Sequence, residues 1–271
     1  MFAEVKTMRS LAKIVLLVLA VTGVGRAQLP TVASGCSWTD GAIVRGPTDS
    51  KRIALVFTGH EFAEGAATIL EALARRGALG SFFLTGAFLA NPAFEPLVRR
   101  MIAAGHYVGP HSNQHLLYCD WSARKTRLVS RELFQADLEA NLQKIARFTT
   151  GRVAWFLPPY EHYDAEIARW TEARGMRLVN YTPGTRSAAD YTGEAAGNFV
   201  ASDAIYRSIL GREQSDPHGL SGFLLLLHLG AGPGRADKMH LRFGQLLDEL
   251  VARGYRFVRV DALLAGKENA R

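Results

Sequence analysis

From residue 52 onward, short apolar runs alternate with longer stretches in which apolar residues recur every three or four positions. The runs at 53–57, 81–84, 106–109, 154–157, 178–181, 222–227 and 256–260 predict strands. The stretches at 63–76, 94–104, 130–148, 165–174, 202–211 and 239–253 predict helices; in the third, Leu133, Ala136, Leu138, Leu142 and Ile145 sit near helical spacing. The strand candidates lack polar alternation, which implies burial on both faces and hence a parallel sheet. About seven βα units result, with no Pro/Ser-rich linker to split them. A (β/α) barrel and a doubly wound sheet both fit this order, and in either one ligands collect beyond the carboxyl ends of the strands. Residues 28–50, rich in Gly, Ser, Thr and Pro, read as an irregular lead-in to a catalytic domain at 51–265.

At the amino terminus, Lys6, Arg9 and Lys13 precede an apolar run at 14–24 that is short for a bilayer span, and Gly25-Arg26-Ala27 follows. Residues 1–27 are therefore expected to be a cleaved export signal, leaving no transmembrane segment in the mature chain. The net charge of +7 includes four cations and one anion in that segment, so +4 remains on the rest. Such a mild basic bias without Lys/Arg runs gives no support to a nucleic-acid partner. Cys36 and Cys119 are the only cysteines; a disulfide and two free thiols are both open.

Chemistry concentrates where the strands are expected to end. There stand Thr58-Gly59-His60-Glu61, the run from His111 to His115, Pro158-Pro159-Tyr160-Glu161, Asn180-Tyr181 and His228. Histidines four apart converge if the segment coils as it leaves its strand, and imidazole is a common ligand for zinc, cobalt or nickel. Any one of these histidines is unremarkable alone, but their joint place at one face of the fold points to a site.

These segments resemble the motifs of the NodB-homology polysaccharide deacetylases over residues 53–264. Val56-Phe57-Thr58-Gly59-His60 matches the family's T-F-D-D-G, and His111, Ser112 and His115 match its H-[ST]-x-x-H motif. Leu157-Pro158-Pro159-Tyr160 matches R-P-P-Y, Leu226-Leu227-His228 matches L-x-H, and Gly254-Tyr255-Arg256-Phe257 resembles the closing strand. The resemblance implies a distorted (β/α)7 barrel and metal-dependent removal of N- or O-acetyl groups from a carbohydrate. Three family residues are replaced. The two aspartates, base and metal ligand, fall on Thr58 and Gly59, and the arginine that steadies the base falls on Leu157.

The resemblance makes His111 and His115 metal ligands, with one divalent ion, zinc first and cobalt or nickel next. Catalytic zinc normally takes three protein ligands. Strand parity favours Glu61 as the third and His60 as the base, with the reverse assignment open. Glu161 is a second candidate base. His228 matches the general acid, to be oriented by Asp237 or Asp190. Pro159 and Tyr160 occupy the substrate-contact position, and Trp121, Tyr118, Trp155 and Tyr163 are candidates to stack on sugar rings. The expected function is an exported, metal-dependent deacetylase acting on acetylated carbohydrate. A sugar-binding pseudoenzyme is the alternative, and another metal amidohydrolase is a third class.

Overall fold

The computed structural model describes residues 28–266; the expected export signal lies outside them. Among the described residues, no helix is long and apolar enough to cross a membrane. The strands are β1 Ser37–Thr39, β2 Ala42–Arg45, β3 Arg52–Gly59, β4 Ser81–Leu84, β5 Tyr107–Pro110, β6 Trp155–Phe156, β7 Arg177–Leu178, β8 Leu224–His228 and β9 Arg256–Val258. The helices are α1 Ala66–Ala74, α2 Gly86–Ala90, α3 Glu95–Ala103, α4 Arg131–Ile145, α5 Ala165–Glu172, α6 Ser202–Ser215, α7 His240–Ala252 and α8 Val260–Leu264.

β3 is the central strand. It pairs in parallel with β4 on one side and β8 on the other, while its first residues pair with β9; β5 continues the sheet beyond β4. Ile53 to Phe57 are fully buried because successive side chains serve two cores. Ile53, Leu55 and Phe57 pack outward under α1 and α7 with Ile69, Leu73, Phe243 and Leu247. Ala54 and Val56 point inward with Phe83, Trp155, Val179, Leu224 and Leu226. This two-sided burial is why the strand shows no polar alternation.

β6 and β7 pair with each other, and single hydrogen bonds carry the ring around them. The Leu157 amide donates to the Pro110 carbonyl at 3.3 Å, linking β6 to β5. The Thr182 amide donates to Leu224 at 3.0 Å, and the Leu224 amide returns a bond to Thr182 Oγ1 at 2.9 Å, linking the β7 end to β8. The seven strands β3 to β9 and their helices thus form a distorted α/β barrel, as expected.

The lead-in is not irregular. β1 and β2 form an antiparallel hairpin around Asp40 and Gly41, both with positive φ, the two-residue turn that a right-twisted ribbon favours. Ala42 and Ile43 are fully buried, and the Ile43 carbonyl accepts the Asn180 amide at 2.9 Å, so β2 seals the wall between β7 and β8. Two short helices escape the periodicity: α2, capped by Thr85 Oγ1 accepting the Phe88 amide, and α8.

Candidate active site

At the carboxyl ends of β3, β5, β6 and β8 a cavity of about 390 Å³ opens, lined among others by His60, His111, His115, Tyr160, Glu161 and His228. The four strand-end motifs therefore share one space.

His111 is buried and its place is fixed by three contacts. Its Nδ1 donates to the Leu157 carbonyl at 2.8 Å, and its amide is shared between Asn141 Oδ1 at 3.0 Å and the Leu84 carbonyl at 3.2 Å, to which Asn141 Nδ2 also donates. The Nδ1 bond leaves Nε2 with its lone pair free. The loop to His115 is not a helical turn. Ser112 and His115 adopt left-handed φ values of 70° and 56°, a conformation costing roughly 1–3 kcal/mol each in non-glycine residues. Asp137 of α4 holds the loop in that shape, accepting Ser112 Oγ at 2.6 Å and the Asn113 and Gln114 amides at 2.8 and 2.9 Å. The rings of His111 and His115 meet edge to face at 5.1 Å. Both are neutral at physiological pH. Burial drives His111 well below the usual imidazole range, and burial with the nearby His60 and His228 pushes His115 down to about 3.

His60 stacks on His115, centroids 4.4 Å apart and planes 16° from parallel. Its Nδ1 lies 3.1 Å from Thr85 Oγ1, and its Nε2 faces Glu61 Oε1 at 3.8 Å. A carboxylate there favours the tautomer with the proton on Nε2 and the Thr85 hydroxyl donating to Nδ1. In that tautomer the one remaining lone pair of His60, on Nδ1, is engaged by the Thr85 hydroxyl, which works against the expected role as base.

The expected third metal ligand does not join the pair. Glu61 is exposed beside His60, and among the described residues no three His, Cys, Asp or Glu side chains are placed to hold one ion. His60 does not substitute, since a metal about 2.0–2.1 Å from each nitrogen needs converging in-plane lone pairs, which stacked rings do not offer. As arranged, the residues provide two nitrogen donors and do not fit a three-ligand zinc site.

The acid and base groups lie across the cavity. Asp190 Oδ1 lies 2.6 Å from His228 Nδ1, and Oδ2 accepts the His228 amide at 3.0 Å. Burial works to lower the His228 pKa, but Asp190, with Glu161 behind it, lifts it above the ordinary value. Asp190 follows a short 3-10 turn, Ser187–Ala189, clamped by the fully buried Arg235, which donates to the carbonyls of Ala189, Thr192 and Val200. Asp237, the other expected orienter, is elsewhere. It accepts the Ser202 amide at 2.5 Å at the start of α6, because Arg235 and Ser202 draw its loop there.

Glu161 ends the 3-10 turn Pro159–Glu161 after β6, where Tyr160 and Glu161 have φ of 58° and 52°. Asn180 Nδ2 donates to the Glu161 carbonyl at 3.0 Å and braces this turn. Burial pushes the Glu161 carboxyl up to about 7, against the pull of His228, with Asp190 adding to the rise. Tyr160 stands half-exposed over His115, centroids 4.4 Å apart, and Trp121 lies exposed beside it; Pro159 is buried beneath. Tyr118, Trp155 and Tyr163 pack in the core and are not available to substrate. Cys36 and Cys119 are free thiols.

Asp137, Asn141, Thr85 and Tyr191 went unread as site residues in the sequence, and Asn180 was noted only as a strand end. The one legible signal was Asp137 and Asn141, four apart on the buried face of an otherwise amphipathic helix. Tyr191 lies 4.8 Å from His228, ring to ring, and lines the same cavity.

The sequence profile described as polysaccharide deacetylase matches residues 45–179. An uncharacterized 30.6 kDa protein of Geobacillus stearothermophilus is 25% identical over 241 residues, covering 86% of this chain and 80% of its own. A family 4 carbohydrate esterase pseudoenzyme from Bacillus anthracis superposes with a TM-score of 0.65 at 18% identity, over 83% of this chain and 69% of that one. Bacillus subtilis PdaA, a family 4 carbohydrate esterase, superposes with a TM-score of 0.63 at 20% identity, over 82% and 84%. Profile and fold agree with the strand-end motifs: the chain belongs to the polysaccharide deacetylase family, with Thr58-Gly59-His60-Glu61 standing at the end of β3.

Proposed function

We propose that this protein hydrolyses acetyl groups from a polysaccharide outside the cytoplasm, with Glu161 as general base and His228 as general acid. One observation carries the reading. Glu161, a carboxyl with its pKa raised to about 7, shares a cavity with an imidazole whose pKa Asp190 raises. An acid and a base whose properties are tuned to opposite tasks within one cavity are what acyl hydrolysis requires. The carboxylate lost at position 58 is thereby replaced from the end of β6. Position 161 faces the same space, and Leu157 no longer supplies the cation that served the former base.

In this reading Glu161 takes a proton from water as the oxygen adds to the acetyl carbonyl carbon. His228, with Nδ1 tied to Asp190, gives the Nε2 proton to the departing sugar nitrogen or oxygen, and acetate leaves. Tyr160 and Trp121 support the sugar. The basic, apolar, small-residue order of residues 1–27 supports export.

The rival is a sugar-binding pseudoenzyme. It is favoured by Gly59, which has no side chain at the family ligand position, and by Thr58 Oγ1, which is buried without a hydrogen-bond partner. Acetate release from a panel of N- and O-acetylated glycans, with and without chelator, decides between them. Release that Glu161→Gln abolishes supports the enzyme. Glycan binding without release by the unaltered protein supports the pseudoenzyme.

A further inference from the structure

Beside the acid–base cavity lies a second one of about 480 Å³, and the two share Trp121, Tyr160, Glu161 and Tyr191. Both volumes fall in the range of small-ligand pockets, roughly 300–1,000 Å³. The shared residues make them one groove, with the aromatic rings standing at the join. What distinguishes the second compartment is its charge: Arg124 and Arg186 both line it.

The compartment is built rather than incidental. His162, buried beneath it, donates from Nε2 to the Asp120 carbonyl at 3.0 Å, and its Nδ1 faces Arg124 Nη2 at 3.4 Å. Trp121 rests on the same imidazole, centroids 4.6 Å apart. One buried ring thus seats both the aromatic platform and a guanidinium. Among the described residues Arg124 pairs with one acid, Asp40 at 3.5 Å, and both side chains are nearly half exposed, so the pair is weak and open to competition. Arg186 forms no ion pair among the described residues. It is exposed, and its backbone is anchored by a 2.9 Å bond to Ser208 Oγ at the head of the turn that leads to Asp190 and Tyr191.

We infer that this compartment is a subsite for a carboxylate-bearing sugar, so that the polymer deacetylated next door is an acidic polysaccharide. This rests on the hydrolase reading for the reaction, though not for the binding. A guanidinium recognises a carboxylate through two parallel N–H bonds, while a neighbouring aromatic face takes the apolar side of the sugar ring. Arg186 has donors to spare and Arg124 has a poorly held partner to exchange. A neutral glycan would offer neither guanidinium a carboxylate.

Isothermal titration with three tetrasaccharides tests this directly. Hyaluronan offers N-acetyl groups and carboxylates, tetra-N-acetylchitotetraose offers N-acetyl groups alone, and chondroitin sulfate adds sulfate esters. We expect hyaluronan to bind about tenfold more tightly than the neutral oligomer at low ionic strength, a difference of about 1.4 kcal/mol. Arg186→Gln should erase most of that preference and leave the neutral oligomer unaffected. Arg75→Gln, the same charge change at the far end of α1, should leave the preference intact. Equal affinity for the acidic and neutral oligomers would overturn the proposal, as would a preference that Arg75→Gln reduces as much as Arg186→Gln does. Chondroitin sulfate binding far more tightly than hyaluronan would overturn the carboxylate assignment in favour of sulfate. The hydrolase reading fails separately: a carboxylate preference without acetate release from any glycan would remove the reaction and keep the subsite.

Discussion

Asp190 holds His228 at two points, with Oδ1 2.6 Å from the ring Nδ1 and Oδ2 accepting the backbone amide at 3.0 Å. The first contact favours the charged imidazole and the second fixes where the residue sits. Asp190→Asn keeps the size of the side chain and removes the charge. The His228 pKa should then fall, because burial is no longer opposed by the full carboxylate. An acid that deprotonates earlier moves the alkaline limb of the rate profile to lower pH. We expect that shift together with a rate loss of about 10²-fold or more. An NMR titration of the His228 ring checks it, and an unchanged pKa would contradict the assigned role.

Glu161 sets the other limb. Its carboxyl titrates at about 7, so the rate should rise with pH through that value as the base form appears. Glu161→Gln should remove the limb and lower kcat by roughly 10²–10⁴-fold, with glycan binding kept. The same shift gives a stability signature. A carboxyl raised by burial is disfavoured in its ionised form by the fold, so native stability is fully present below the unfolded pKa and declines as pH climbs toward 7 and above. Glu161→Gln should therefore raise Tm relative to the unaltered protein at pH about 8 more than at pH about 4. Melting curves showing no such pH dependence would mean that Glu161 is not tuned by burial.

The barrel was legible because its central strands β3, β4, β5 and β8 are buried on both faces, and every predicted strand overlaps an observed one. What escaped is physically explicable. The Asp40-Gly41 turn is a hairpin signal, but it lay in a segment dominated by loop-forming residues, so β1 and β2 went unread. In the site, the position of each histidine was readable from the strand ends. Of the partners, Asp190 was one of two candidates, whereas Asp137 and Asn141 were not readable, because they reach the site from a helix with no fixed spacing to the motifs. Parity assigned Glu61 and His60 as though the strand continued, whereas β3 ends at Gly59 and the side chains beyond it no longer alternate across a sheet.

Metal binding separates the residues that sequence placed together. His111 Nε2 and His115 are the neutral donors, whereas Glu61 is exposed next to His60. Titration with cobalt, followed by its visible spectrum, should show binding that His111→Ala abolishes and Glu61→Ala leaves unchanged. Binding should be weaker than at a site with three protein ligands. Loss of cobalt in Glu61→Ala would show instead that the loop after β3 swings inward to complete the site.

The last test concerns the loop that presents the two histidines. Asp137 is buried, and its three accepted bonds come from the segment in which Ser112 and His115 hold left-handed backbone. Removing the carboxylate leaves two amides and a hydroxyl without an acceptor while the backbone strain persists. Bonds to a charged group contribute about 1.5–3 kcal/mol each, and some relaxation offsets their loss, so Asp137→Ala should destabilise the fold by about 2–4 kcal/mol. Asp137→Asn keeps one acceptor oxygen and should recover part of that. A general loss of stability would not by itself show that Asp137 positions His115. The discriminating readout is cobalt affinity in Asp137→Asn under conditions where the variant is fully folded. It should fall because the loop no longer holds His115 against His111, whose own ring is fixed independently by Leu157. Cobalt affinity equal to that of the unaltered protein would mean that the loop keeps its shape without the aspartate, and that its role is in stability alone.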